Sequence, residues 1–228
     1  MDGKPTWIGK YIQNAFSHYL APEVVKALVK DPKRLSLEGE QKELTVLFSD
    51  IRGFTGISEK MDSQVLGKFM NQYLTQMSQI IMENNGTVDK FIGDAIMAFW
   101  GAPNDDAKHP DKAVQTALLM KSHLTTMNQS FRDQGMPEIA IGIGIHSGLM
   151  SVGNFGSHDR FDYTVMGDNV NLASRIEGIN KTYGTTILIS ESTKERLKDQ
   201  FSFQFIDRVT VKGRQQRVKI YEPFTKGS

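Results

Sequence analysis

Between Leu44 and Ser49, Leu44, Val46 and Phe48 alternate with Thr45, Leu47 and Ser49, a period-two pattern that predicts a buried strand ending at Asp50. The period then changes. Val65, Leu66, Phe69, Met70, Tyr73, Leu74, Met77, Ile80 and Ile81 recur at i, i+3, i+4, which predicts a core-facing helix capped by Asp62 and ended at Asn85-Gly86. Val88, Phe91 and Ile92 before Gly93-Asp94, and Ile96, Met97 and Phe99 after, predict a β-hairpin turning at that dipeptide. A second helix is expected over about 105–134, with Ala113, Val114, Ala117, Leu118, Leu124 and Met127 inward. In IAIGIGIHSGLMSVGNFG, Ile139, Ile141, Ile143 and Ile145 line one face of a strand while Ala140, Gly142 and Gly144 leave the other nearly bare. Something must pack close against that bare face.

Phe161 to Met166 reads as a further strand, and Gly167-Asp168 leads into a helix that buries Leu172, Ile176 and Ile179. Asn171 and Arg175, four apart, share its neighbouring face. The tail predicts a strand over 186–190, a short helix begun by Ser190 to Thr193, and strands over 203–211 and 217–221 with Lys212-Gly213-Arg214 in the loop between them. The order is βαββαβ with additions, an α+β, ferredoxin-like or split βαβ pattern.

Residues 1–40 have a different texture. Trp7, Ile8, Tyr11, Ile12, Phe16 and Leu20 fall at helical spacing, and Pro22 opens a second short helical run. The expected division is a helical linker or transducing segment over 1–40 and one catalytic-size domain over 41–228. The lead-in either packs on the domain or its copy, or carries a signal from an upstream sensor. The opening MDG and closing KGS give the impression of a piece of something longer.

With 27 Lys and Arg against 26 Asp and Glu, the net charge of +1 offers no global attraction to nucleic acid or to an anionic membrane. There is no cysteine, which excludes thiolate chemistry and disulfides and fits a reducing, cytoplasmic setting, free or as the cytoplasmic domain of a longer, membrane-anchored protein. No apolar run approaches the roughly 20 residues that span a bilayer, so no membrane contact is expected from this segment.

The candidate chemistry is carried by lone carboxylates at strand ends. Asp50 is followed by Gly53 and Gly56, which free the backbone around Phe54 and Thr55 to approach an anion. Asp94 stands at the hairpin turn. If the hairpin pairs beside the first strand, the two carboxylates can share hard cations, and two such ions about 4 Å apart clamp an in-line displacement at phosphorus. His109 and His123 are lone histidines expected to pack or face solvent. His146-Ser147 lacks an orienting carboxylate at an obvious spacing, so a hydrolase triad is not expected. Strand composition after the glycines also speaks against a dinucleotide fingerprint.

Four stretches in order, LFSDIRGFT, DKFIGDAIMAFWG, FDYTVMGDNVNLASRI and VTVKG, resemble the class III nucleotidyl cyclase catalytic domain, from about Leu44 to Pro223. The resemblance implies a ferredoxin-like α+β core working as a head-to-tail homodimer with active sites at the interface. It makes Asp50, Asp94 and the Ile51 carbonyl ligands of two Mg²⁺ or Mn²⁺ ions per site. It gives the triphosphate to the backbone amides of Gly53, Phe54 and Thr55 and, from the partner chain, to Lys212. Asn171 and Arg175 become the pair that positions the ribose and stabilises charge on the α-phosphate.

Lys90 and Thr164 resemble the adenine-reading pair: an ammonium donates to ring N1 and a hydroxyl accepts from the 6-amino group. Guanylyl members carry a glutamate and a small or cysteine residue there. The implied reaction is therefore adenylyl cyclase, ATP to 3′,5′-cyclic AMP and pyrophosphate, with guanylyl cyclase or a non-catalytic nucleotide-binding dimerisation module as alternatives. Thr164 departs from the aspartate of the mammalian membrane-bound enzymes and resembles bacterial and bicarbonate-responsive soluble cyclases, which adds an expectation of bicarbonate stimulation.

Overall fold

The computed structural model describes residues 39–198, 201–210 and 217–225, with Val24 and Val25 ahead of them. The helical reading of residues 1–40 therefore falls almost wholly, and that of Lys212 wholly, outside the described residues.

Strand β1 (Glu40–Ile51) begins four residues before the expected strand and buries Leu44, Val46 and Leu47 completely. A short helix α1 (Phe54–Ser58) follows, then α2 (Ser63–Glu83), whose N-cap Asp62 accepts from the backbone N–H groups of Gln64 and Val65. The hairpin β2 (Thr87–Ile92) and β3 (Ala95–Trp100) turns at Gly93-Asp94 as expected, with Gly93 at φ 64°. Helix α3 is His109–Asp133, β4 is Ile141–Gly156, β5 is Phe161–Met166 and α4 is Asp168–Tyr183. The chain closes with β6 (Ile187–Ser190), α5 (Glu191–Arg196), β7 (Phe201–Val209) and β8 (Val218–Thr225).

One eight-stranded sheet runs β2-β3-β1-β4-β6-β8-β7, with β5 paired to the far part of β4. Its first four strands, with α2 and α3 as crossovers, are the predicted βαββαβ core: β1 lies antiparallel between β3 and β4. Alternation along β1 separates two apolar layers. Leu47 and Ile51 join Phe69, Tyr73, Met77, Ile81 and the inward side of α3 on one face. Leu44 and Val46 join Met97, Phe99, Val152, Val165, Val170 and Ala173 on the other. The β4–β5 ribbon and the start of α4 cover that second face.

Two expectations are corrected. The buried stripe of α2 is Phe69, Tyr73, Met77 and Ile81, one residue per turn, while Val65 is 40% exposed. Val65 stands one turn ahead of the stripe, beside an open depression it shares with Ile57, Met61 and Met136. Gly56 lies inside α1 with ordinary helical backbone and open space where a Cβ would go, so of the two glycines only Gly53, at φ 67°, needs to be glycine. Among the described residues no helix is long and apolar enough to cross a membrane.

The bare face of β4 receives α4. A Cβ on Gly144 would stand 2.2 Å from the Glu177 backbone nitrogen and 2.5 Å from the Ala173 carbonyl oxygen. Asn180 fastens the same contact by donating from Nδ2 to the Ile143 carbonyl at 2.9 Å. Gly144→Ala must push backbone from backbone and is expected to cost about 2 kcal/mol or more. Gly67→Ala, on the exposed side of α2 with nothing within 4 Å of the new methyl, should instead be neutral or stabilise by up to about 1 kcal/mol. Urea titration of the two variants beside the parent checks the contrast.

Candidate active site

Asp50 sits opposite Gly142 in the β1–β4 register, one residue before the end of β1. Because Gly142 has no side chain, the space beside Asp50 is taken by Arg52 and Glu177: a Cβ there would lie 1.8 Å from Arg52 Nη2 and 2.4 Å from Glu177 Oε1. Arg52 Nη1 stands 3.2 Å from Glu177 Oε1, a mostly buried ion pair between the β1–α1 turn and α4.

The β2–β3 turn carries Asp94 to the same end of β1, where its Oδ2 accepts from the Ile51 N–H at 3.2 Å. Asp50 and Asp94 thus meet, as the sequence predicts. The Asp50 carboxyl is pushed up to about 7, first by burial, then by Asp94 as hydrogen-bond partner and like charge, and then by Glu177. Glu177 is also raised, by burial and by Asp94, against the opposing pull of Arg52. Three carboxylates therefore cluster beside one guanidinium that pairs with Glu177 alone among the described residues, so acids outnumber bases here.

That imbalance suits oxygen-bound divalent cations. Among the described residues no three His, Cys, Asp or Glu side chains form a ready cage for a metal ion. A pair of carboxylates is nevertheless the donor set that Mg²⁺ commonly uses, since it keeps waters and takes substrate phosphates for its remaining positions. Asp50 and Asp94 fit such ions. Gly53 is the N-cap of α1, with Phe54 and Thr55 in its first turn.

A second cluster forms around the β2 bulge. The β2–β3 pairing passes from Val88 opposite Ala98 to Lys90 opposite Met97, skipping Asp89. The freed Asp89 side chain is fully covered; it accepts from Thr164 Oγ1 at 2.5 Å and lies 3.3 Å from Lys90 Nζ. Lys90 and Thr164, 74 positions apart in the chain, are brought together through a residue that the sequence reading did not single out.

Asn171 and Arg175 lie one turn apart on α4, the first exposed and the second half-buried. Arg175 Nη1 is buried with no hydrogen-bond partner among the described residues. No hydrogen bond or ion pair joins these two to Asp50 or Asp94 among the described residues.

The histidines behave as expected. His146 bonds Ser190 Oγ at 2.7 Å and Asn169 Oδ1 at 3.0 Å, while Ser147 Oγ faces Thr45 Oγ1 at 2.7 Å, so the adjacent pair is no triad. His109 Nδ1 meets the same Thr45 hydroxyl at 2.7 Å and His123 Nε2 meets Gln76 Oε1 at 2.6 Å. Arg52, Glu177 and Asp89 were missed from sequence. The bare glycine face was the available signal for the first two, whereas a bulge leaves no periodic mark.

Comparison with known proteins agrees with this architecture. Residues 38–222 match the family described as the adenylate and guanylate cyclase catalytic domain. An adenylate cyclase of Anabaena cylindrica is 39% identical over 220 residues, covering 93% of this chain. The chain spans 42% of that relative's length. The adenylyl cyclase CyaB of P. aeruginosa superimposes with a TM-score of 0.78 at 40% identity, over 82% of this chain and 96% of that one. The guanylyl cyclase Cya2 does so at 0.76 and 35%, over 81% and 93%. With the sheet order, the paired aspartates and a match over most of its length, the chain belongs to the adenylate and guanylate cyclase catalytic domain family.

Proposed function

We propose that residues 41–228 form an adenylyl cyclase catalytic domain that converts ATP to 3′,5′-cyclic AMP and pyrophosphate as a homodimer. The observation that carries this reading is the meeting of Asp50 and Asp94 at the shared end of β1 and the β2–β3 turn. Together with the Ile51 carbonyl they would hold two Mg²⁺ or Mn²⁺ ions. Those ions, when bound, supply charge neutralisation at the phosphates and acidify the ribose 3′-hydroxyl.

The remaining work belongs to the chain. Backbone N–H groups of Gly53, Phe54 and Thr55, and Lys212 from the partner, hold the triphosphate. Asn171 orients the ribose so that its 3′-oxygen, on losing its proton, forms a bond to the α-phosphorus. The bond from that phosphorus to the bridging oxygen of pyrophosphate breaks. Arg175 stabilises the charge on the α-phosphate oxygens, a task suited to a fixed five-donor fork.

Base choice rests on Lys90 and Thr164. Likeness to both an adenylyl and a guanylyl cyclase structure leaves the base open, so the donor pattern decides. Lys90 donates to adenine N1 and Thr164 accepts from the 6-amino group, a pattern that guanine opposes.

A dimer is supported by the apolar side chains left at the surface near the site. Phe91 and Ile92 flank the β2–β3 turn at 47% and 53% exposure, and Leu149 and Met166 on the β4–β5 ribbon are similarly open. In a two-fold arrangement, Asp50 and Asp94 of one protomer would face Asn171, Arg175, Lys90, Thr164 and Lys212 of the other. Residues 1–40 are then a transducing segment from an upstream sensor. A cytoplasmic setting, whether free or as the cytoplasmic domain of a longer, membrane-anchored protein, fits a substrate such as ATP. Bicarbonate stimulation remains a proposal motivated by Thr164; equal turnover with bicarbonate and matched chloride at constant pH would remove it.

Purified protein supplied with Mn²⁺ should turn ATP into cyclic AMP, identified by mass spectrometry, with little cyclic GMP from GTP. Cyclic GMP as the main product would keep the metal site and reverse the base assignment.

Asp50→Ala and Arg175→Ala should each lower turnover by about 10² or more. Mixed and allowed to exchange, they form heterodimers with one intact site, and activity should return to about a quarter of the parent's. Absence of rescue despite demonstrated heterodimers would contradict the shared site.

A further inference from the structure

Thr164 carries a hydroxyl, and a hydroxyl alone does not distinguish adenine from guanine. It can accept from a 6-amino group or donate to a 6-carbonyl with equal ease, since its hydrogen rotates to suit. Lys90 already opposes guanine, whose N1 carries a hydrogen, so Thr164 adds to base choice only if something fixes the direction of its own hydrogen. We infer that Asp89 is the positioning residue that sets base choice, by holding the Thr164 hydroxyl hydrogen so that only its lone pairs face the nucleotide.

The geometry is specific. Thr164 Oγ1 donates to Asp89 Oδ2 at 2.5 Å, and with the carboxylate ionised there is no competing donor on the aspartate side. Asp89 also lies 3.3 Å from Lys90 Nζ, which keeps the ammonium beside the Thr164 hydroxyl; Asp162 flanks that ammonium more loosely at 3.9 Å. One buried carboxylate therefore orients a donor and an acceptor side by side, the order that matches adenine N1 and its 6-amino group. The bulge is what makes this possible. In regular β2 pairing, Asp89 would take a place in the alternation opposite a β3 residue; skipped by the ladder, it turns toward β5 instead. Burial pushes the Asp89 carboxyl above the usual carboxylate range, while the Thr164 hydroxyl and the Lys90 ammonium pull it back toward the charged form.

This rests on the assignment of Thr164 to the adenine 6-amino group made above, and the test separates the two. In Asp89→Asn the amide must direct its oxygen to the Lys90 ammonium and its NH₂ to Thr164, which reverses the hydroxyl into a donor. The readout is kcat/KM for ATP against purine riboside 5′-triphosphate, which lacks the 6-amino group, and against GTP, with Mn²⁺. We expect Asp89→Asn to lose about tenfold on ATP, to lose little on the purine nucleotide, and to raise the GTP-to-ATP ratio. Thr164→Val should likewise abolish the preference for ATP over the purine nucleotide. Equal losses on both nucleotides in Asp89→Asn would mean that Asp89 only supports the fold, and would overturn the inference. If Thr164→Val abolishes the preference while Asp89→Asn keeps it, the inference alone fails. If Thr164→Val keeps the preference, Thr164 does not read the base and both fall. Asp89→Ala, which leaves the hydroxyl free to rotate, is read in the same way should the amide variant not fold; its ATP preference should drop toward one, and an unchanged preference would overturn the inference.

Discussion

The close seating of α4 on β4 is the constraint on which the rest of this structure depends. Gly142 and Gly144 remove the side chains that would hold a helix off a sheet, and backbone of α4 comes within van der Waals contact of the strand. Only at that distance can Glu177 reach across Gly142 to Arg52 and lie within electrostatic range of Asp50 and Asp94. The same seating fixes the turn on which Arg175 stands. Packing, site charge and the position of the α4 face that carries Arg175 are thus set by two missing side chains.

The electrostatics follow from that packing. Crowding half-buried Asp50 and Asp94 against buried Glu177 is unfavourable in isolation, and the raised Asp50 and Glu177 carboxyls are its signature. Such an arrangement persists where a ligand compensates it. Arg52 is not aimed at the open edge but tied back to α4, through Glu177 Oε1 and the Glu177 carbonyl at 3.5 Å. It therefore neutralises the rear of the cluster and leaves the front negative, where cations with bound phosphates would approach.

The fold was largely legible in the sequence because its signals are periodic. Strand β1, the stripe of α2, the Gly93-Asp94 turn and the one-sided isoleucines of β4 each follow from spacing, and the βαββαβ order follows from their succession. The misreading at Val65 has the same origin: periodicity marks the apolar face of a helix but not where the sheet beneath it stops. Gly56 shows the limit for glycine, whose freedom is used at Gly53 and idle three residues later.

The site was legible in a different way. Asp50 and Asp94 stand out because lone carboxylates interrupt apolar runs, while the roles of Lys90, Thr164, Asn171 and Arg175 came from motif resemblance rather than from spacing. Arg52 and Glu177 were hidden because each is unremarkable until a helix is laid on a glycine face. Asp89 was hidden for a sharper reason. A bulge is a failure of register between two strands, so it exists only once they are paired, and no property of DKFIGD by itself announces it. A residue beside a recognised motif can thus gain buried partners from a break in regularity. Such breaks, where a side chain leaves the ladder and still finds buried partners, are the places where a sheet is made to serve a ligand.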